Sequence, residues 1–556
     1  MKLLLLVSSV ATLVLLVGAA YRENALQEWR VTQRGYRELL PGDARSDFRV
    51  QLRQVVAPAI DATDRCVSCH VGMAPGEEAI AGHRLFGRHP DVVHDPTEIG
   101  CVVCHGGQGR ATERAAAHGD VPHWPEPMIP RHYSAAGCGT CHTHLQVPAA
   151  AALERGRTLF ERHDCLACHR LDGRGGTLRT LGAGGMEGPN LSRVGLAGYD
   201  RDWYAGHLAH AASDSATAGW RTSFAPIPAA ELAALDAFLD SRAGAPGLVE
   251  AKALYHSLGC RGCHKVGGIG GDDGPDLTRV GQKDPGQLGF VHVPGERTVA
   301  NWLREHFRAP ARVVAGSAMP ELGLTDEELD ALVLYMLSLR RADVPEALWP
   351  RDRIQAERFG WREFATDGAT LYGTFCASCH GRRGEGMRFA GVAAFPAIAH
   401  PDFLALADDT LIRETIRRGR PGRRMPAWGA SEGGLRDADL DSLVSYLRAI
   451  GGVPAPAPDP RPRRWVGGDP VRGGERYAAT CAACHGRSGE GGEGPALANS
   501  VLLAHASDTY LVETIRRGRA GTSMPSFARG DPTYPALSDA EIAAVVAFIR
   551  QWEVRQ

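Results

Sequence analysis

Every cysteine in the chain obeys one pattern. The 14 Cys form seven C-x-x-C runs, and each run is followed at once by His. The runs are Cys66–Cys69–His70, Cys101–Cys104–His105, Cys138–Cys141–His142 and Cys165–Cys168–His169. Then follow Cys260–Cys263–His264, Cys376–Cys379–His380 and Cys481–Cys484–His485. One such run is open to a zinc or thiol-redox reading. Seven that consume every Cys leave none for a disulfide or a free nucleophile. C-x-x-C-H is the attachment signature of covalent haem: two thiols become thioethers, and the adjacent His lies under the iron as proximal ligand. Seven covalently bound haem c groups are therefore expected, held by the 14 Cys and the seven His.

Composition narrows the partners. With 556 residues, 44% apolar and 23% charged, the chain is globular and long enough for several domains. Its formal net charge of −2 gives no electrostatic case for nucleic acid. Lys2, Lys252, Lys265 and Lys283 are the only lysines among 62 basic residues. Arg is the side chain whose planar fork suits carboxylates, and two propionates per haem supply them.

Leu3 to Ala20 is an unbroken apolar stretch behind Lys2. Residues 1–20 read as an export signal and, with the polar helix and linker of 21–60 following directly, as an uncleaved membrane anchor in preference to a signal cleaved after Gly18-Ala19-Ala20. That pattern is expected to run from Tyr21 to Leu40 without a break. Haem is attached to C-x-x-C-H outside the bacterial inner membrane, so the bulk of the chain is expected in the periplasm.

Residues 61–150 crowd three haem motifs into 77 residues, together with His83, His89, His94, His118, His123, His132 and His144. A well-placed Met-Pro is missing there, so bis-His ligation is expected. His89 is the first distal candidate, then His118, His123 and His94. This segment resembles class III-like multihaem cytochromes, in which haems pack on haems in a small loop-rich domain.

From Ala151 the chain repeats, over 151–245, 246–345, 355–452 and 465–556. Each unit opens with a short helix into C-x-x-C-H and closes with a helix of period 3.6, starting near Ala230, Thr325, Asp437 and Ser538. Thr325-Asp-Glu-Glu and Ser538-Asp-Ala-Glu read as capping boxes. Asp409–Arg420 and Asp508–Arg519 agree at nine of twelve positions. Val453–Arg464, with Pro at every second position from Pro454 to Pro462, reads as an extended spacer that lets the last unit swing.

These four units resemble class I cytochrome c domains, on C-x-x-C-H, on Gly188-Pro189, Gly274-Pro275, Phe395-Pro396 and Gly494-Pro495, and on Met319-Pro320, Met425-Pro426 and Met524-Pro525. The resemblance implies a mainly α fold: four small helical domains in tandem behind a trihaem domain and a membrane helix. It implies that each Pro carbonyl accepts a hydrogen bond from the proximal His, and that Met319, Met425 and Met524 are distal ligands. The first unit has no Met-Pro, since Gly219–Phe224 stands in its place. His207 aligns with His306 and reads as structural, which leaves His210 and Met186. His/His, His/Met and five-coordinate states all stay open for the fourth haem.

The resulting function is electron transfer rather than catalysis. The first segment and anchor are similar to cytochrome c subunits of quinol-oxidising cytochrome b complexes. That resemblance implies an integral-membrane partner with b-type haem or an iron–sulfur protein, and a soluble periplasmic acceptor. A multihaem reductase or peroxidase built on a five-coordinate fourth haem is the alternative, and a free-standing carrier hub is a third reading.

Overall fold

The computed structural model describes residues 1–90, 92, 94–147, 150–167, 169–171, 174–175, 188–197, 199, 201–209, 227–242, 245–340, 343–388, 394–530 and 532–554. The chain is mainly α. Among the described residues, β structure is limited to short pieces: Val55–Ala57 pairs antiparallel with Ala62–Asp64, Val55 opposite Asp64, and Arg170–Leu171 pairs with Arg174–Gly175. Two compact units emerge. One comprises Met1–Leu145, Arg242–Leu248 and Arg279–Trp361; the other comprises Gln146–Ser241, Val249–Thr278 and Arg362–Gln556.

In the first unit, Lys2–Ala25 is a single helix of 24 residues with mean hydropathy 2.6 over its best 18-residue window and no buried residue. At 1.5 Å per residue it is about 36 Å long, enough to cross a hydrocarbon layer of about 30 Å. The helix does not run on to Leu40 as the sequence pattern suggested. It stops at Leu26, and a second helix, Glu28–Leu39, begins after the extended Gln27, whose side chain accepts from Trp29 Nε1 at 2.7 Å. Trp29, Gln33 and Tyr36 make the buried face of this second helix, at i, i+4 and i+7 spacing. Tyr36 packs on Phe48 and Phe86 with ring centres 5.0 and 5.2 Å apart. Gln33, fully buried, donates to the carbonyls of Gln51 and Ser68 and accepts from Gln51 N and Arg53. A buried amide with all these partners fixes the first haem-motif loop against the helix.

The apolar clusters around the first three motifs are small: Tyr36, Leu40, Phe48, Val71 and Phe86 in one, Val55, Val67 and Ala74 in another. The third motif leans on a helix instead. Gly139, inside its C-x-x-C, lies so close to Ser338 at the end of helix Asp326–Ser338 that an added Cβ would collide with the Ser338 carbonyl. Tyr133 donates to Asp330 on the same helix at 2.8 Å. The capping box read at Thr325 is present, Glu328 N donating to Thr325 Oγ1 at 3.2 Å and Thr325 N to Glu328 at 2.8 Å.

In the second unit one crossing is used three times. Ala150–Arg162 packs on Ala229–Asp240, Gly368–Phe375 on Asp437–Gly451, and Pro470–Thr480 on Asp539–Val554. At each crossing a glycine of the first helix (Gly156, Gly368, Gly473) meets a backbone carbonyl of the second, of Ala234, Ser442 and Ala544 respectively. A side chain there would push the helices apart. The Ser538–Glu541 capping box also forms.

The last two repeats do not move as separate beads. A single apolar cluster runs from Phe364 through Trp428 and Leu447 to Leu503, Ile515 and Trp552. His400 Nε2 donates to the Ala520 carbonyl at 2.9 Å and Ala520 N to Asp402 at 2.7 Å. The proline-spaced linker is pinned as well: Arg464 bonds the Ala506 carbonyl and Glu553, and Asp459 accepts from Thr509 Oγ1. The swinging last unit suggested by the prolines is thereby corrected, because swinging would expose that shared core to water.

A buried ionic knot joins residues far apart in sequence. Glu363 takes Lys252 Nζ at 2.7 Å and the Arg261 guanidinium; Lys252 and Arg261 are 3% and 0% exposed. Burial alone would raise the Glu363 pKa, but the two cations hold it well below the ordinary carboxylate range. Burial drives neighbouring His256 the other way, below the ordinary imidazole range, so it stays neutral. Glu363→Gln is expected to cost about 3–5 kcal/mol, because it strands buried cations; thermal unfolding of the holoprotein measures it. The contribution is complete above the unfolded carboxylate pKa of about 4.3. It is lost as pH falls below that value toward the depressed folded one, so the gap between variant and parent should narrow in acid.

Candidate haem sites

All seven motifs share one local geometry. The proximal His N–H donates to the carbonyl of the first Cys of its run: His70 to Cys66 at 2.8 Å, His105 to Cys101, His142 to Cys138, His169 to Cys165, His380 to Cys376 and His485 to Cys481 at 2.9 Å, and His264 to Cys260 at 3.0 Å. That is one helical turn. It puts the residues at i, i+3 and i+4, two thiols and an imidazole, on the same face. The thirteen described cysteines are all free of disulfides, and no cluster of three or more His, Cys, Asp or Glu among the described residues forms an ion cage. The donor set fits covalent haem; Cys168 lies outside the described residues.

In the four repeated units the proximal ring is fixed from behind. His Nδ1 donates to a proline carbonyl each time: His169 to Pro189 at 2.9 Å, His264 to Pro275 at 2.8 Å, His380 to Pro396 at 2.9 Å, His485 to Pro495 at 2.8 Å. This selects the tautomer whose Nε2 is free to ligate iron. Gly188, Gly274 and Gly494 lie directly against the rings of His169, His264 and His485, where a Cβ would clash. The third unit has Phe395 at that place, its ring 6.3 Å from that of His380. Burial lowers the pKa of His264, His380 and His485, and each stays a neutral ligand near neutral pH.

Met425 and Met524 line one cavity of about 1300 Å³ with Cys376, Cys379, His380, Cys481, Cys484 and His485. Two complete attachment sets, each with its methionine, thus open into one continuous space. Met319, half-buried, follows helix Val299–Arg308 in the first compact unit, its N–H donating to Ser317 Oγ at 3.3 Å.

The three N-terminal sites each meet a histidine from elsewhere in the segment. His89 and His105 have ring centres 6.0 Å apart, and His94 and His142 6.3 Å. Burial and then the nearby His118 lower the His70 pKa; burial and then His89 lower that of His105. His123 is in the left-handed region at φ 68°, and no described ring contact joins it to a proximal His. His83 serves the fold: its Nδ1 accepts from Leu85 N and Phe86 N, and its ring stacks on Phe86.

At the fourth motif the ring centre of His207 is 6.2 Å from that of His169. The alignment with His306 marks His207 as structural, yet its ring stands beside the proximal one. His210, Met186 and Gly219–Phe224 lie outside the described residues.

Two features escaped sequence reasoning. Asp64 is fully buried and accepts from the N–H groups of Cys101 and Val102, capping the second motif from two residues before the first. The motifs also touch. Cys66 lies beside Cys101, and Cys263 beside Cys379, where Gly262 packs on Ser378. Cys104 has Cys138 and Cys141 as electrostatic neighbours, and burial, then those thiols, push it up to about 11. Neither contact has a local signal, because partners 35 and 116 positions apart meet only through the fold.

Known families resemble these segments. Residues 153–243 and 248–340 match the model for cytochrome c, and 363–447 and 468–549 match that for cytochrome c oxidase, cbb3-type, subunit III. The cbb3-type cytochrome c oxidase subunit FixP of Bradyrhizobium sp. (strain ORS 278) is 32% identical over 177 residues, 30% of this chain and 56% of the relative. Subunit CcoP of Rhodobacter capsulatus is 31% identical over 195 residues, 33% of this chain and 60% of the relative. The chain thus spans just over half the length of these curated relatives. A chain of a reducing HAO-like protein complex from Kuenenia stuttgartiensis is 20% identical, covering 33% of this chain and 94% of that one, with a TM-score of 0.23, too low to bear on the fold. With haem-attachment turns throughout and cytochrome c domains over its last four segments, the chain is a multihaem c-type cytochrome.

Proposed function

We propose that this cytochrome is a seven-haem wire, held in the bacterial inner membrane by Lys2–Ala25 with its bulk in the periplasm. It takes electrons from an integral-membrane quinol-oxidising partner, through b-type haem or an iron–sulfur protein, and delivers them to a soluble periplasmic acceptor. One observation carries the reading: attachment turns lie side by side (Cys66 by Cys101, and Cys263 by Cys379, where Gly262 packs on Ser378) instead of standing in isolated domains. Relatives named as subunits of an oxidase favour a membrane-complex partner. His118, His89 and His94 serve as distal ligands to the irons of His70, His105 and His142 in that order. Met319, Met425 and Met524 serve the fifth to seventh irons. His123 is left without such a role.

Thioether sulfur raises a haem potential relative to a second imidazole. Electrons entering at the His-rich segment beside the membrane helix therefore run toward the methionine sites. The test is reduction in native membranes. A short-chain quinol should reduce the c-type haems there, and the detergent-purified chain without partners should stay oxidised. No quinol-dependent reduction in membranes would overturn the quinol route.

Intact-mass measurement should give seven haem additions; fewer in the fully matured protein would refute the count. Met425→His should lower the potential of one haem and abolish one of three sulfur-to-iron near-infrared bands. His89→Ala should create one carbon-monoxide-binding haem per chain, whereas His123→Ala should create none.

A further inference from the structure

The fourth motif is the only one of the repeated four without a Met-Pro. Three observations bear on what faces its iron.

The first is separation. A first-row metal between two imidazoles has bonds of about 2.0–2.1 Å, and about 1.1 Å separates each nitrogen from its ring centre, so the ring centres lie about 6.3 Å apart. His169 and His207 are 6.2 Å apart, with their planes at 58°. The same spacing, 6.0 and 6.3 Å, recurs at His89/His105 and His94/His142 in the other compact unit.

The second is orientation. His169 Nδ1 is committed to the Pro189 carbonyl, so Nε2 is the ligating atom. The His207 ring is held by stacking: Trp203 lies on it with ring centres 5.1 Å apart at 4°, and Tyr199 lies on Trp203 at 3.8 Å and 10°. Three stacked rings fix the plane of the imidazole before any ligand arrives.

The third is support. His207 lies on helix Arg201–Ala209, which packs on the closing helix Ala229–Asp240 through buried Tyr204. The second repeat has an equivalent stack, Trp302 on His306 at 4.8 Å and 11°. The Trp-x-x-x-His pair is thus a structural element of both repeats. In the repeat without a Met-Pro, that element brings its His within 6.2 Å, ring centre to ring centre, of the proximal His.

We infer that His207 is the sixth ligand of the fourth haem, so that this cytochrome c unit is bis-His and six-coordinate. The inference rests on the seven-haem reading and deepens it. It makes the fourth haem a relay of the lower-potential kind. It also removes the open iron position that a reductase or peroxidase would need.

The experiment uses the full-length holoprotein and four readouts: haem count by intact mass, electron paramagnetic resonance of the oxidised form, the near-infrared sulfur-to-iron band, and carbon monoxide binding to the reduced form. The parent should carry seven low-spin haems and bind no carbon monoxide. His207→Ala should gain one high-spin haem and one equivalent of carbon monoxide per chain. His207→Met should stay low-spin and add one sulfur-to-iron band. His210→Ala should match the parent. A parent that already binds one equivalent, a His207→Ala protein unchanged from the parent, or loss of ligation in His210→Ala would each overturn the assignment. Seven haems with any of those results would refute His207 alone. A mature parent with six haems and an unmodified Cys165 would refute the seven-haem reading with it.

Discussion

The structure depends on a single turn of backbone: an N–H of His bonded to the carbonyl of the Cys four residues before it. That bond aligns two thiols and an imidazole, and a rigid planar group attached there becomes the centre of its own small core. Around the first two motifs the apolar clusters are small, and the third motif is steadied by helix Asp326–Ser338 of the same compact unit. The repeated units share two devices, with a glycine at three helix crossings (Gly156, Gly368, Gly473) and one beside three of the four proximal rings (Gly188, Gly274, Gly494).

Much of this was legible in the sequence because it is local. The C-x-x-C-H turn, the proline that takes the ring hydrogen bond, and the Thr325 and Ser538 capping boxes all lie within a few residues to about twenty of their partners. Met425 and Met524 were legible for another reason: the same residue recurs at the same place in a repeat. What remained hidden is non-local. Asp64 reaches 37 positions to Cys101, and Glu363 reaches back 111 to Lys252. The pinned linker misled for a related reason. Alternating proline describes an extended backbone correctly, but extension says nothing about what that backbone lies against.

His207 is the instructive case. Alignment with His306 is sound, and the stacked Trp in both repeats bears it out as an equivalence of fold. On the bis-His inference, equivalence of position does not carry equivalence of role, since the first repeat has no Met-Pro. On that inference its chemistry follows from how close it stands to His169 rather than from its counterpart His306.

The cavity shared by the sixth and seventh attachment sets has a consequence of its own. Two haems held by these sets would feel each other's charge through a medium far less polarisable than water. An electron residing on one therefore disfavours a second on its neighbour. Their measured midpoints then belong to the pair, as the apparent pKa values of a carboxylate dyad do. On the proposed reading, the terminal end of the wire is a one-electron gate that fills in two separated steps.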